Sequence, residues 1–279
     1  MRRASPAVLQ VCLNGARGPG DSAVVPMSPE SLAESAARAV AAGAGEVRVH
    51  PRTPCGRTSL SPRVLTPVLA ELRPAVSAVA GAPVPVTTVA SAEPEPGRRV
   101  ERIRSWTVLP DLVSVDWHEP GAEAVVAALL ERGVGVEAAL WSGTDGPERF
   151  AGSPPAPGVR RVLVRVTAAG PDGDPEAAAR ALIATLAVQP GLPVPAHAPP
   201  APPHGLPVQV HGLPVQVHGL PVLLHGEEDG AWPVLRLARR LGAGARIGLE
   251  DTLLLPDGTP ARSNAELVTA ALAYGRTGF

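Results

Sequence analysis

The chain has 279 residues, enough for one large domain with a sizeable core. With 45% apolar residues, 18% charged residues and a formal net charge of -1, nothing in the balance points to nucleic acid or to an acidic membrane surface. All 25 basic residues are arginine, which excludes Schiff-base chemistry on a lysine amine.

No apolar run reaches the roughly 18 residues of a membrane-spanning helix. The opening MRRASPAVLQVCLN carries two arginines, but its apolar part is too short for a secretory leader. It reads as a first strand over 7–14, and a cytoplasmic location is expected. Cys12 and Cys55 form no C-x-x-C pair and read as free thiols of a reducing compartment.

From there short apolar runs alternate with helical patterns, the signature of βα units around a parallel sheet. Ser28-Pro29-Glu30 supplies a cap, a first-turn proline and an early carboxylate for a helix that runs to Gly43. Strand two spans 45–52, and the next Ser-Pro start opens a helix over 61–74. Strand three (83–88) precedes a helix near 96–108, and strand four (111–117) leads into a helix over 119–133. Strands five (134–141) and six (159–166) follow, then a helix over 175–187. Strand seven (221–226), a helix over 231–242, strand eight (245–251) and a helix over 263–275 close the pattern. Eight strand–helix pairs predict one closed (β/α)8 TIM barrel over 1–279. A doubly wound sheet is the alternative, but no G-x-G-x-x-G follows any strand.

One stretch breaks this rhythm. Between 191 and 226 a seven-residue unit recurs and spaces His197, His204, His211, His218 and His225 evenly. A histidine array is compatible with metal binding, but tandem duplication of a short coding unit explains it more simply. A proline in each unit prevents a regular helix and a central strand alike. Residues 190–219 are therefore expected to form a flexible Pro/His insertion before strand seven.

Barrel chemistry collects at the C-terminal strand ends. These carry Asn14 and Arg17; Arg48, His50 and Arg52; Thr87 and Thr88; Asp116, His118 and Glu119; Glu137; His225 and Glu227; then Arg246, Glu250 and Asp251. The adjacent Glu250 and Asp251, at the end of a buried strand, need partners.

LNGARG (13–18), V-x-V-H-P-R (47–52), SVDWHEPGAE (114–123) and above all RIGLEDTLLLPDGTPARSNAELV (246–268) together resemble the β-keto acid cleavage enzymes. The similarity covers most of the chain, the repeat excepted. It implies a zinc-dependent retro-Claisen acyl transfer, in which a β-keto acid and acetyl-CoA give a CoA ester and acetoacetate, in a homo-oligomer. In that family an H-x-H on strand two and the glutamate of G-L-E-D hold the metal, which acts as a Lewis acid. Carried over, the metal ligands are His50 and Glu250. Arg246 would hold the substrate carboxylate, Asp251 would be the general base or its orienter, and Thr87, Thr88 and Ser114 would line the pocket.

The sequence departs from the family where the metal should sit. Arg48 stands in place of the first zinc histidine, and a guanidinium has no lone pair to offer. Val89-Ala90 follow Thr87-Thr88 where the family has a threonine-glycine loop, Asp116 replaces an asparagine, and Arg17 a glutamate. Three readings stay open: Asp116 or His118 supplies a third ligand to a weakened zinc site; Arg48 pairs with Glu250 or Asp251 and the barrel binds a small carboxylate without metal; or the chain is a drifting copy without activity.

Overall fold

The structure is a computed structural model that describes residues 7–152, 158–167, 173–187, 216–217 and 219–274. In chain order its strands are β1 (Leu9–Cys12), β2 (Glu46–Arg48), β3 (Val86–Val89), β4 (Leu112–Asp116), β5 (Gly135–Trp141), β6 (Val159–Val166), β7 (Gln216–Val217), β8 (Leu220–Gly226) and β9 (Gly244–Ile247). The helices are α1 (Pro29–Ala41), α2 (Pro62–Ala80), α3 (Pro96–Arg104), α4 (Ala122–Glu131), α5 (Gly146–Gly152), α6 (Pro175–Ala187), α7 (Ala231–Arg240) and α8 (Asn264–Tyr274). Neighbouring strands from β1 to β6 pair in parallel, β6 pairs with β8, and β8 and β9 return the sheet to β1. The result is the closed eight-stranded TIM barrel that the sequence predicts. No helix among the described residues is long and apolar enough to cross a membrane.

Because strand side chains alternate in direction, each strand feeds two cores. Val136, Ala138 and Leu140 of β5, with Val162 and Val164 of β6, join the large apolar cluster under the helices. The other face is unusual. Among the described residues inside the barrel, Ala139, Leu163 and Leu223 form a small apolar plug with Val8 and Trp141 packed against it. Gln10, Arg48, Thr87, Ser114, Glu137, Arg161, His225 and Arg246 are buried on the same strands. Barrel interiors are usually filled by branched apolar side chains; this one is built from charge.

Several boundaries differ from the sequence-based expectation. Helix α2 continues past Pro74 to Ala80. Its buried stripe of Leu65, Val68, Leu69, Leu72 and Val76 outweighs the hydrogen bond that the proline removes. Helix α3 stops at Arg104, where Ser105 caps it and donates a side-chain bond to the Arg102 carbonyl at 2.7 Å. Helix α5 follows strand five in a segment to which the sequence pattern assigns no element. The last barrel strand ends at Ile247 rather than at 251, since the Asp251 and Thr252 amides fold back onto the Gly248 carbonyl. Of the expected repeat insertion, residues 190–215 and 218 lie outside the described residues. Gln216–Val217 form the short β7, antiparallel to β8.

Candidate functional site

The C-terminal strand ends open into a cavity of about 630 Å³ whose lining includes Arg17, Arg48, His50, Asp116, Trp141 and Glu250. Two asparagines set its frame. Asn14 grips the backbone of His50 from both sides, accepting from its amide and donating to its carbonyl, each at 3.0 Å. Asn264, of the S-N-A-E-L segment, accepts from the Leu249 amide at 2.9 Å and donates to the Leu13 carbonyl at 2.9 Å. It thereby ties the G-L-E-D turn to the end of β1. Two glycines permit the close approach. A Cβ on Gly248 would fall 2.0 Å from the Cys12 carbonyl oxygen, and one on Gly15 would fall 2.2 Å from Cγ of Glu250. Gly15 also has a positive φ of 56°, which glycine adopts without steric cost.

On this frame sits a ladder of buried opposite charges. Arg161 pairs with Glu46 and donates through Nε to Glu137 at 2.6 Å. Glu137 also accepts from Arg48 Nη1 at 3.0 Å. The Arg48 Nε lies 3.5 Å from Glu250 Oε2, and His50 Nε2 lies 3.3 Å from the same oxygen. Neither of these nitrogens is aligned for a hydrogen bond. Arg246 Nη2 donates to Glu250 at 3.1 Å and to Asp251 at 2.6 Å. Cys12 Sγ donates to Asp251 at 3.0 Å, and His225 Nδ1 stands 3.2 Å from it. Burial alone would raise both carboxyls, but Arg246 holds Glu250 and Asp251 well below the usual carboxylate range, helped by His50 and His225 respectively. Burial also pushes the Cys12 thiol well up, so it stays protonated.

His225 has the clearest titration. Burial, reinforced by Arg246, lowers it from the ordinary 6.5 to about 4 although Asp251 pulls the other way. The native state therefore binds fewer protons here than the unfolded chain as pH falls from 6.5 towards 4, and stability is lost over that window. His225→Asn is expected to remove that acid loss, about 3 kcal/mol from a shift of this size. Urea denaturation at a series of pH values checks it; an unchanged slope would refute the assignment.

The structure brings His50, Glu250, Asp251 and Arg246 together, as the sequence suggested, but gives several residues different surroundings. Arg246 is buried and committed to Glu250 and Asp251, with Nη1 left unpartnered, and it does not line the cavity. Thr87, Thr88 and Ser114 do not line it either. Thr87 accepts from Gln10 at 3.3 Å inside the barrel. Thr88, one residue on, faces the other way and donates to the Val49 carbonyl at 3.1 Å. Ser114 is buried and its hydroxyl has no partner. Asp116 lines the cavity but accepts from Trp141 Nε1 at 2.8 Å, while His118 packs on the Trp141 ring.

Among the described residues no three of His, Cys, Asp or Glu gather closely enough to hold a metal ion. Neither Asp116 nor His118 completes a set with His50 and Glu250. The third corner is filled by Arg48, a cation without a lone pair. The residues present do not fit the resident zinc ion that the family resemblance implies.

Glu137, Arg161, Arg165 and Trp141 carry more of the site than the sequence reading gave them. The available signals were a lone acid inside the apolar strand GVEAALW and two arginines four apart, hence on one face, in VRRVLVRV.

A family model for the beta-keto acid cleavage enzymes matches residues 6–135 and 196–277. This chain belongs to the β-keto acid cleavage enzyme family. The G-L-E-D turn and its Asn264 tie, on which the resemblance chiefly rests, are both in place. Solved structures share the fold at low identity. ObcA in a binary complex with oxaloacetate aligns with a TM-score of 0.60 at 13% identity, over 90% of this chain and 63% of that one. ObcA in a ternary complex with a C4-CoA adduct and oxalate gives 0.61 at the same identity and coverage. This β-keto acid cleavage family member thus spans under two thirds of the ObcA length. The homocysteine methyltransferase MmuM from Escherichia coli aligns at 0.54 and 13% identity, over 97% of this chain and 96% of that one. No curated protein matches the chain.

Proposed function

We propose that the C-terminal mouth binds a small β-keto carboxylate, and that it does so without a zinc ion. One observation carries this reading: the Arg48 guanidinium stands between Glu137 and Glu250 and supplies, as a fixed side chain, the positive charge that a metal would bring. Family membership makes β-keto acids the substrate class. ObcA was solved with oxaloacetate, itself a β-keto acid, which supports the same class.

A second reading keeps the zinc-dependent acyl transfer from a β-keto acid to acetyl-CoA. It is favoured by His50 Nε2 and Glu250 Oε2, which are 3.3 Å apart and without hydrogen-bond partners, as two ligands of one ion would be. It needs the Arg48 guanidinium to be elsewhere.

The two readings separate in one experiment. Thermal unfolding is followed with acetoacetate or oxaloacetate, with and without a chelator, alongside elemental analysis of the wild type and Arg48→His. On our reading the wild type carries little zinc, and either ligand at about 100 times Kd stabilises it by about 2.7 kcal/mol whether or not chelator is present. Arg48→His gains zinc. Near-stoichiometric zinc in the wild type, or stabilisation that the chelator abolishes, would replace this reading with the zinc-dependent one.

A further inference from the structure

The cavity has three arginines in its lining, Arg17, Arg48 and Arg165. They differ in what they have left to give. Arg17 donates through Nε to the Glu250 carbonyl at 3.3 Å and pairs with Glu228. Arg48 is held between Glu137 and Glu250. Arg165, at the end of β6, sits over the indole of Trp141, its Cζ 3.8 Å from the ring centroid. The indole is itself fixed, donating to Asp116 at 2.8 Å and carrying the His118 ring on it at 4.6 Å between centroids. Arg165 pairs with Glu227 through Nη2, yet its Nε is buried with no partner.

A guanidinium stacked on an aromatic ring keeps its edge free for in-plane donation, and a planar fork with an unmet donor suits a carboxylate. Arg246, the arginine expected from the sequence to take this role, lies beneath Glu250 and Asp251 and is engaged by both.

We infer that Arg165, laid on Trp141, is the residue that anchors the carboxylate of the ligand. The inference rests on the binding reading above and names the group that makes that binding selective for an acid. Its test compares acetoacetate with its neutral isostere acetoacetamide by calorimetric titration of the full chain. The wild type is expected to prefer acetoacetate by about tenfold or more, the scale of one charge-assisted fork. Arg165→Gln should abolish the preference, binding both equally weakly, while Arg165→Lys keeps part of it through its charge. Trp141→Leu should weaken acetoacetate and leave acetoacetamide unchanged. A general loss of structure would weaken both ligands alike, so the ratio isolates the anchoring role. Full preference retained in Arg165→Gln overturns the inference and leaves the binding reading standing. A wild type that binds neither compound overturns that reading, and the inference with it.

Discussion

Glu137→Gln is expected to destabilise the protein by about 3–5 kcal/mol, the cost of leaving buried charge without its partner. Glu137 is fully buried and accepts from two guanidiniums, Arg48 and Arg161, each buried in turn. Burial alone would raise its carboxyl, but Arg161 and then Arg48 hold it below the ordinary range. The glutamine fits the same space, but its amide nitrogen presents a donor to a guanidinium. Arg161 keeps Glu46, whereas Arg48 keeps only the loosely aligned Glu250. For a chain of this size the loss corresponds to a fall in Tm on the order of 10 °C. Removing Arg48 at the same time, in Arg48→Met/Glu137→Leu, is expected to cost less than the sum of the single changes, since no cation is then stranded. Chemical denaturation of the two single variants and the double variant measures this; strictly additive costs would show that the ladder does not act as a unit.

How much of this could be read from the sequence follows from how local each cause is. Strand β6 and helix α6 fall at the residues expected, because VRRVLVRV and PEAAARALIATLA each carry their own pattern. The extension of α2 beyond Pro74 could not be read that way. It depends on a neighbour, α1, to cover the stripe that carries the helix past its proline. The same contrast holds in the site. The G-L-E-D and S-N-A-E-L segments stand out as text, and the structure shows why they travel together: Asn264 holds the Leu249 amide. The Glu137–Arg161 contact arises from strand register, Glu137 lying opposite Arg161 across β5 and β6. Its link to Arg48 joins residues 89 apart in the chain. Nothing in one strand announces which charge the next will bring opposite it. Arg48 itself shows the limit most clearly. Its loss of ligand chemistry is plain from the side chain alone, but that it is held by Glu137 below and Glu250 above is a fact of packing.

The Arg246→Met variant should be destabilised by a similar 3–5 kcal/mol in the absence of any ligand, and its stability should change with pH in the opposite sense to the wild type. In the wild type the depressed Glu250 and Asp251 contribute stability that is present above their ordinary values of 4.5 and 3.8 and is lost as pH falls below them. Arg246 is the chief cause of both depressions, and the same nitrogen donates to both carboxylates. With methionine in its place the two acids face each other inside the barrel. Desolvation and mutual repulsion then favour one proton on the pair. The native state would bind that proton more tightly than the unfolded chain, so the variant should lose stability as pH rises above the ordinary carboxylate values. Denaturation curves near pH 5 and pH 7 separate the cases. The wild type is expected to be at least as stable at the higher pH, because His225 is also kept neutral by burial. The variant should be weaker there. A variant that keeps the wild-type slope would mean that Arg246 is not the counter-ion of this pair. Its guanidinium would then be free for a ligand, which is the role the structure gives instead to Arg165.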